Sequence, residues 1–377
     1  MSKPLSQSPN QKKYYLGFSS FHKIGPINLR KLEDYFPDLE TAWRAPGREL
    51  EQTGLNPKLS QEFVAWRRTF NLTQTAEELI KQGINYTTWH DDDYPMLLKE
   101  IAVPPPIIYY RGQLNGQNNN RLAVVGSRRH SAYAEKVITE TLPKLVRAGI
   151  EIVSGLALGV DTLAHQASLN NQGRTLAVLG SGLFPSNLYP KSNRFLAEKI
   201  IQNGGAIISE FSPDTPPYKQ NFPQRNRIIS GLAQATLVVE APAKSGSLIT
   251  ASYALEQNRE VLAVPGNIFS LLSAGPNNLI KSGAQVVTRA EDILEIFNLN
   301  VKNQTTKAPP VNDYRPANPA AALIYELIKQ ATERAEKITA DEIVRQSQLD
   351  TATVNSTLSI LEISGIAKKT ESGYDLN

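Results

Sequence analysis

Ile152-Val153-Ser154-Gly155-Leu156-Ala157-Leu158-Gly159-Val160-Asp161 opens as a short apolar, β-branched run and breaks on Ser-Gly. Such a run reads as a buried strand, and the glycine permits the tight turn that ends it. The same grammar recurs through residues 121–296. Strand runs are expected at Leu122–Val125, Ile150–Val153, Thr175–Leu179, Ala206–Ser209, Thr236–Glu240, Val261–Val264 and Gln285–Val287. Helical patterns lie between most of them, notably at Ala132–Ala148 and Leu248–Gln257. Strands buried on both faces that alternate with helices imply an α/β fold, a mainly parallel sheet covered by helices on each side.

Outward from this centre the pattern changes. Residues 1–12 read as a disordered polar tail. Residues 13–93 read as a small helical domain, with breaks at Gly25-Pro26 and Asn56-Pro57. Gly25-Pro26 opens like the turn of a helix-hairpin-helix module, but Ile27 stands where a second glycine belongs, so a plain helical domain is expected. The sheet domain is set at 94–296, with a short strand at Ile107–Tyr110 after the non-helical Pro104-Pro105-Pro106. Residues 297–317 carry little apolar content and read as a linker. In 318–377, helices at Ala320–Gln330, Ala340–Gln346 and Thr351–Ser364 precede two strands, Ile366–Lys369 and Gly373–Leu376. Three helices and a two-stranded wing make the winged-helix pattern.

Composition narrows the function. The 377 residues suit two or three domains, and an apolar fraction of 41% fills a real core. The chain has no cysteine, which excludes disulfides, thiolate zinc sites and a cysteine nucleophile. The opening MSKPLSQSPNQKK lacks a signal-type apolar core, and no run approaches the roughly 20 apolar residues of a membrane span. A soluble cytoplasmic protein without a membrane partner is expected. Residues 121–296 hold 17 Lys/Arg against 13 Asp/Glu, whereas 318–377 hold 6 against 9. The basic excess therefore lies in the sheet domain, where an anionic ligand would bind.

Ligands of open parallel sheets bind beyond the carboxyl ends of the strands. Four of those ends carry small residues: Gly126-Ser127-Arg128-Arg129, Ser154-Gly155, Gly180-Ser181-Gly182 and Lys244-Ser245-Gly246-Ser247. Small residues let backbone amides approach an anion, and four such turns on one edge point to a phosphate-lined cleft. No GxGxxG, GxxxxGK[ST] or GxSxG motif is present, so no nucleotide cofactor is expected. The segment Asn221–Gly231 adds Phe222, Arg225, Asn226 and Arg227. Guanidinium groups beside an aromatic suit a polyanion that carries flat rings. The plainer reading is a polar loop that caps a helix beginning near Arg227. Asp161 and His165, four residues apart, read as a loop brace and a structural histidine, and Asp91-Asp92-Asp93 as an exposed acidic turn. Glu210 and Glu240 stand at strand ends without an evident catalytic partner.

Five motifs in this order resemble the DNA-processing protein A (DprA/Smf) family: Val124–Arg128, Ser154–His165, Tyr189-Pro190-Lys191-Ser192-Asn193, Phe222–Gly231 and Ser245–Ala251. The resemblance spans roughly residues 95–290. It implies a Rossmann-like sheet, a small helical SAM-like module in front and a winged-helix domain behind. It further implies a homodimer that binds and protects single-stranded DNA and helps to load a RecA-type recombinase in natural transformation, with no catalytic step. Carried over by motif, Arg128 and Lys191 are the leading DNA contacts, followed by Arg225, Arg227 and Lys244. Two alternatives stay open. One is a nucleotide phosphoribohydrolase-like enzyme with Glu240 and Arg128 in its active site, and the other is a mononucleotide sensor.

Overall fold

The computed structural model describes residues 9–114, 120–299, 319–333, 337–363, 366–370 and 373–376. Six helices come first: α1 Pro9–Ser20, α2 Pro26–Tyr35, α3 Leu39–Arg44, α4 Gly47–Gln52, α5 Pro57–Arg67 and α6 Leu72–Lys81. Pro26 and Pro57 open their helices, where a missing N–H has no partner to lose. Asp38 caps α3 by accepting from Thr41 N at 2.7 Å. Phe18 stacks on Phe63 at 5.0 Å, and Trp43 meets both rings edge-on at 5.4 Å. The expected tail is corrected here, because α1 begins at Pro9 and Lys12 pairs with Asp91 at 2.9 Å. Residues 1–8 lie outside the described residues.

The sheet follows: β1 Asn85–Thr88, α7 Met96–Lys99, β2 Ile107–Gly112, β3 Arg121–Val125, α8 Ala132–Arg147, β4 Glu151–Ser154, α9 Val160–Asn170, β5 Thr175–Val178, α10 Arg194–Gln202, β6 Ala206–Ser209, α11 Asn221–Gly231, β7 Ala235–Val238, α12 Gly246–Glu256, β8 Glu260–Ala263, α13 Ala274–Lys281, β9 Gln285–Val286 and α14 Ala290–Ile296. The strand order is β1-β2-β6-β5-β4-β3-β7-β8-β9. From β6 to β9 every pairing is parallel, while β2 runs antiparallel to β6 and to β1. The chain thus winds outward from β3 to β6, then returns to place β7 on the other side of β3. This is a Rossmann-like sheet, and its crevice opens where the winding reverses.

Side chains alternate along each strand, so β3 serves two cores. Ala123 and Val125 face the layer that includes the amino-terminal helices, while Leu122 and Val124 pack with α8, α9 and α14. Ile84, Trp89 and Leu98 share the first core with Tyr109 and Ile207. β1, inside the 13–93 segment, is an edge strand of the sheet rather than part of a separate helical domain. Under the amino ends of β3 and β4, Arg121 pairs with Glu151 at 2.6 Å with both side chains at most 2% exposed, and Arg174 joins at 3.2 Å.

The segment that carries Arg225 departs from its plainer reading, since α11 starts at Asn221 rather than near Arg227. Pro223 sits in the first turn, where its lack of an N–H costs no helical bond. Asn221 N donates to Tyr218 O at 3.1 Å just before it.

The chain divides into two units, Met1–Asn300 and Val301–Asn377. Phe297, read as the start of the linker, is buried in the core of the first unit, and residues 300–317 lie outside the described residues. The second unit holds α15 Pro319–Glu333, α16 Ala340–Ser347, α17 Thr351–Ile363, β10 Ala367–Thr370 and β11 Gly373–Leu376. Thr339 and Glu342 form a reciprocal capping box on α16. Ile324, Ile343, Val354 and Leu358 fill its core, and Ile338 bridges to Tyr374 beside the hairpin. This is the three-helix and wing order of a winged-helix fold. No helix among the described residues is long and apolar enough to cross a membrane.

Candidate nucleic-acid interface

Where the winding reverses, the turn after β3 meets the turn after β7. Ser127 N donates to the Glu240 carbonyl, and Val160 N to the Ser127 carbonyl at 3.1 Å, which clamps the first turn against β7 and α9. A Cβ on Gly126 would stand 2.7 Å from Val160 Cγ2 and 2.8 Å from Glu240 O, so only glycine admits this packing. The Ser127 hydroxyl is spent inside the turn, donating to Arg129 O at 2.8 Å and accepting from Arg129 N at 3.1 Å. The turn's product is Arg128, thrown into solvent at the mouth of a groove of about 850 Å³.

Across the groove, Ser245 caps α12 by accepting from Ser247 N at 3.3 Å. Gly246 has no heavy atom within 4 Å of where its Cβ would be, so a ligand can reach that helix start. Lys244 is exposed beside it. Asn226 ties α11 to this corner by donating from Nδ2 to Gly246 O at 3.1 Å. Of the residues expected from sequence, Gly126, Ser127, Arg128, Phe222, Arg225, Asn226, Lys244, Ser245, Gly246 and Ser247 all line the one groove.

The mouth has an aromatic wall. The Arg128 guanidinium lies 5.7 Å from the centre of the Phe222 ring, within cation–π range. Tyr189 meets Phe222 edge-on at 5.7 Å and is 47% exposed. Gly180 serves this wall rather than an anion, because a Cβ there would stand 2.8 Å from Phe222 Cδ1.

The structure places the other expected contacts away from the groove's open surface. Arg225 is only 4% exposed; Nη1 donates to Gly155 O at 2.8 Å and to Val178 O. Burial pushes its pKa down to about 10, with Asp161 opposing. Gly155 leaves room for this guanidinium, since its Cβ would stand 2.6 Å from Arg225 Nη2. Arg227 points to the other side of α11 and pairs with Glu210, whose carboxyl is raised by burial against the pull of that arginine. Ser181 is 2% exposed and its hydroxyl donates to Gly182 O at 3.3 Å, so it offers nothing to a ligand. Lys191 is exposed on a single 3-10 turn, outside the groove lining. The departures of Arg225, Arg227 and Ser181 share one cause: their buried side chains knit the sheet's upper edge, and the turns between them face solvent.

Asp161 braces the second turn, its Oδ2 accepting from Gly155 N at 3.1 Å and Ala157 N at 3.3 Å. Burial raises its pKa. His165 is fully buried beneath it, Nδ1 2.7 Å from the Thr175 hydroxyl, and burial pushes it down to about 3. Both carboxylate oxygens of Glu240 are occupied, Oε1 by the Ser131 hydroxyl at 2.6 Å and Oε2 by Ser131 N at 2.9 Å. It anchors the start of α8. No group of three or more His, Asp or Glu able to hold a metal occurs among the described residues.

Among the basic and aromatic residues lining the groove, Arg129, Lys219 and Tyr189 escaped the sequence reading. Arg129 and Tyr189 sit inside quoted motifs, where an exposed charge or ring beside a named contact was the available signal. Lys219 lies in the loop between β6 and α11, whose path depends on the fold.

Comparisons with known proteins agree with this fold. The family model for DNA recombination-mediator protein A matches residues 85–298. Protein Smf of Escherichia coli K12 is 37% identical over 327 residues, 86% of each chain. The DNA processing protein DprA of Bacillus subtilis is 40% identical over 248 residues, 66% of this chain and 77% of that one. The solved structure of Streptococcus pneumoniae DNA processing protein A superposes with a TM-score of 0.65 at 35% identity, covering 76% of this chain and 98% of that one. That of the Helicobacter pylori protein, described as having a unique single-stranded DNA binding mode, gives 0.50 at 28% identity over 57% of this chain and 96% of that one. With the model match covering the sheet and its groove, and the Escherichia coli relative aligned over most of both chains, the chain belongs to the DNA recombination-mediator protein A family.

Proposed function

We propose that this protein binds single-stranded DNA in the groove at the winding reversal, protects it, and helps to load a RecA-type recombinase during natural transformation. One observation carries the reading: exposed Arg128 and Tyr189 and half-buried Phe222 form a cation and ring wall in the groove that Lys244 and the open helix start at Gly246 also line. Phosphates sit over Arg128, Lys244 and the first amides of α12. Bases turn to the ring wall, which stacks any base and gives little sequence preference. A duplex hides its base faces and loses that half of the interaction. The Helicobacter pylori relative's single-stranded DNA binding mode supports the assignment.

A homodimer, implied by family membership, holds two strand segments and raises avidity. The recombinase is the partner that takes over the protected strand. The role needs no cofactor and no catalytic group. Engagement of both Glu240 oxygens by Ser131 favours binding over nucleotide hydrolysis, because a general acid must reach its substrate.

Anisotropy of a labelled oligo-dT strand over a salt series, with duplex as control, tests the reading. Tight binding that prefers the single strand and weakens steeply with salt is expected. Absence of binding at low salt overturns it. Light scattering of the purified protein tests the dimer, and strand-exchange assays with a RecA-type protein test the loading role.

A further inference from the structure

Lys191 stands outside the groove lining, at the head of α10. Because β5 and β6 are parallel, α10 starts at the groove edge of the sheet and runs back toward the strands' amino ends. Leu196, Ala197 and Ile200 bury its inner face in the core. Lys191, Phe195 and Lys199 follow at spacings of four, which places them above one another on the outer face. All three are exposed, Phe195 at 71%.

The Lys199 ammonium lies over the Phe195 ring, 4.8 Å from its centre, within cation–π range. That contact steadies the ring without covering it. Glu198, the acid of α10, is held by two N–H groups of Arg111 at 2.9 and 3.2 Å, so its charge is met on the protein. The head of the stripe is fixed to the groove's own turns. Asn193 Nδ2 donates to Leu156 O at 2.9 Å and to the Thr162 hydroxyl at 2.8 Å, and Arg194 Nη2 to Ser186 O at 3.2 Å. Tyr189, two residues before Lys191, lines the groove and meets Phe222 edge-on. Rings and cations therefore alternate from the groove wall onto α10 in the order Tyr189, Lys191, Phe195, Lys199.

We propose that this face of α10 is a second strand-binding segment, which takes single-stranded DNA as it leaves the groove past Tyr189. One base stacks on Phe195, and the phosphates on either side of it lie against Lys191 and Lys199. The assignment rests on the groove as the first segment. It commits to a nucleic-acid strand because an open ring between two cations matches a base between two phosphates, and because the stripe continues the groove's own aromatic wall.

The test measures anisotropy of two labelled oligo-dT strands on the full-length protein, of about 6 and about 16 nucleotides, within the span that one fold covers in other strand-binding proteins. The short strand fills the groove, and the long one reaches α10. Phe195→Ala should weaken the long strand about tenfold with its salt slope unchanged, leave the short strand unaffected, and be rescued by Phe195→Trp. Lys199→Gln should lower the salt slope of the long strand alone, by about 0.7 for one phosphate. Thermal midpoints confirm that the variants are folded. The proposal is overturned if Phe195→Ala and Lys199→Gln bind the long strand as the parent does, or if they weaken both strands by the same factor. Binding of neither strand to the parent overturns the groove reading and this proposal with it, whereas parental binding of both strands by the α10 variants removes only this proposal.

Discussion

The Arg225 guanidinium occupies the space a side chain on Gly155 would need, with Nη2 2.6 Å from that Cβ position and Nη1 donating to the Gly155 carbonyl at 2.8 Å. A glycine on one strand end and an arginine on a helix thus form a single fitted unit. Gly155→Ala displaces the guanidinium and leaves Val178 O without this donor. A loss of about 3 kcal/mol of stability is expected, combining overpacking with the absence of a buried hydrogen bond. Chemical denaturation measures it, and a variant as stable as the parent would show that Arg225 has another resting place.

Arg128 and Arg225 are both groove-lining arginines, yet their alanine variants should differ in kind. Arg128→Ala, at an exposed position, keeps the thermal midpoint and lowers the salt dependence of single-strand binding by about 0.7 in log–log slope for each phosphate it no longer neutralises. Tyr189→Ala should weaken binding by roughly 1–3 kcal/mol with the salt slope unchanged, as for a stacking residue. Arg225→Ala lowers the midpoint first and binding only as a consequence. Salt titrations paired with thermal melts separate the three, and matching behaviour of Arg128→Ala and Arg225→Ala would refute the division of roles.

Removing the carboxylate in Glu151→Ala leaves Arg121 buried without its partner at 2.6 Å. Breaking such a pair costs roughly 3–5 kcal/mol. Because the pair lies at the amino ends of the strands, far from the groove, the folded fraction should retain parental affinity for oligo-dT. Denaturant midpoints and anisotropy together check this, and a weakened affinity in the folded protein would contradict it.

His165 is held neutral, its pKa pushed down to about 3 by burial from an ordinary 6.5. The unfolded chain takes up a proton below about 6.5 and the folded chain does not until about 3, so this group costs stability as pH falls through that window. Its contribution to the slope approaches ~1.4 kcal/mol per pH unit in the middle of the window. Raised carboxyls such as Asp161 and Glu210 act in the opposite sense, so the histidine is isolated by comparison with His165→Gln. That variant should be less stable at pH 7, for want of the ring's fit against Thr175, and should lose less on acidification between pH 6 and 4. Equal pH slopes for the two proteins would exclude a buried neutral His165.

The strands of the sheet were legible in the sequence because burial on both faces demands unbroken apolar runs, as at Leu122–Val125 and Ala206–Ser209. β1 was missed because Asn85-Tyr86-Thr87-Thr88 is an edge strand with polar residues, which carries no such run. The turns at Gly126–Arg128 and Lys244–Ser247 line one groove, since both follow strands that end on the same edge of the sheet. Gly155, Gly180 and Ser181 looked the same in sequence and proved to be packing elements, since a glycine admits a neighbouring side chain as readily as a ligand.

The sequence alone determined what is local: a mainly parallel sheet, the absence of thiol chemistry, and a basic middle with small residues at the strand ends. Periodicity and residue type express those properties within a few positions. Tertiary structure decided which basic groups are free. Arg128 and Arg225 carry the same group, but Arg225 is sealed by Gly155 and Val178, 70 and 47 positions away, while Arg128 stands exposed among the described residues. Charge belongs to a residue, whereas exposure is set by every distant segment that packs against it.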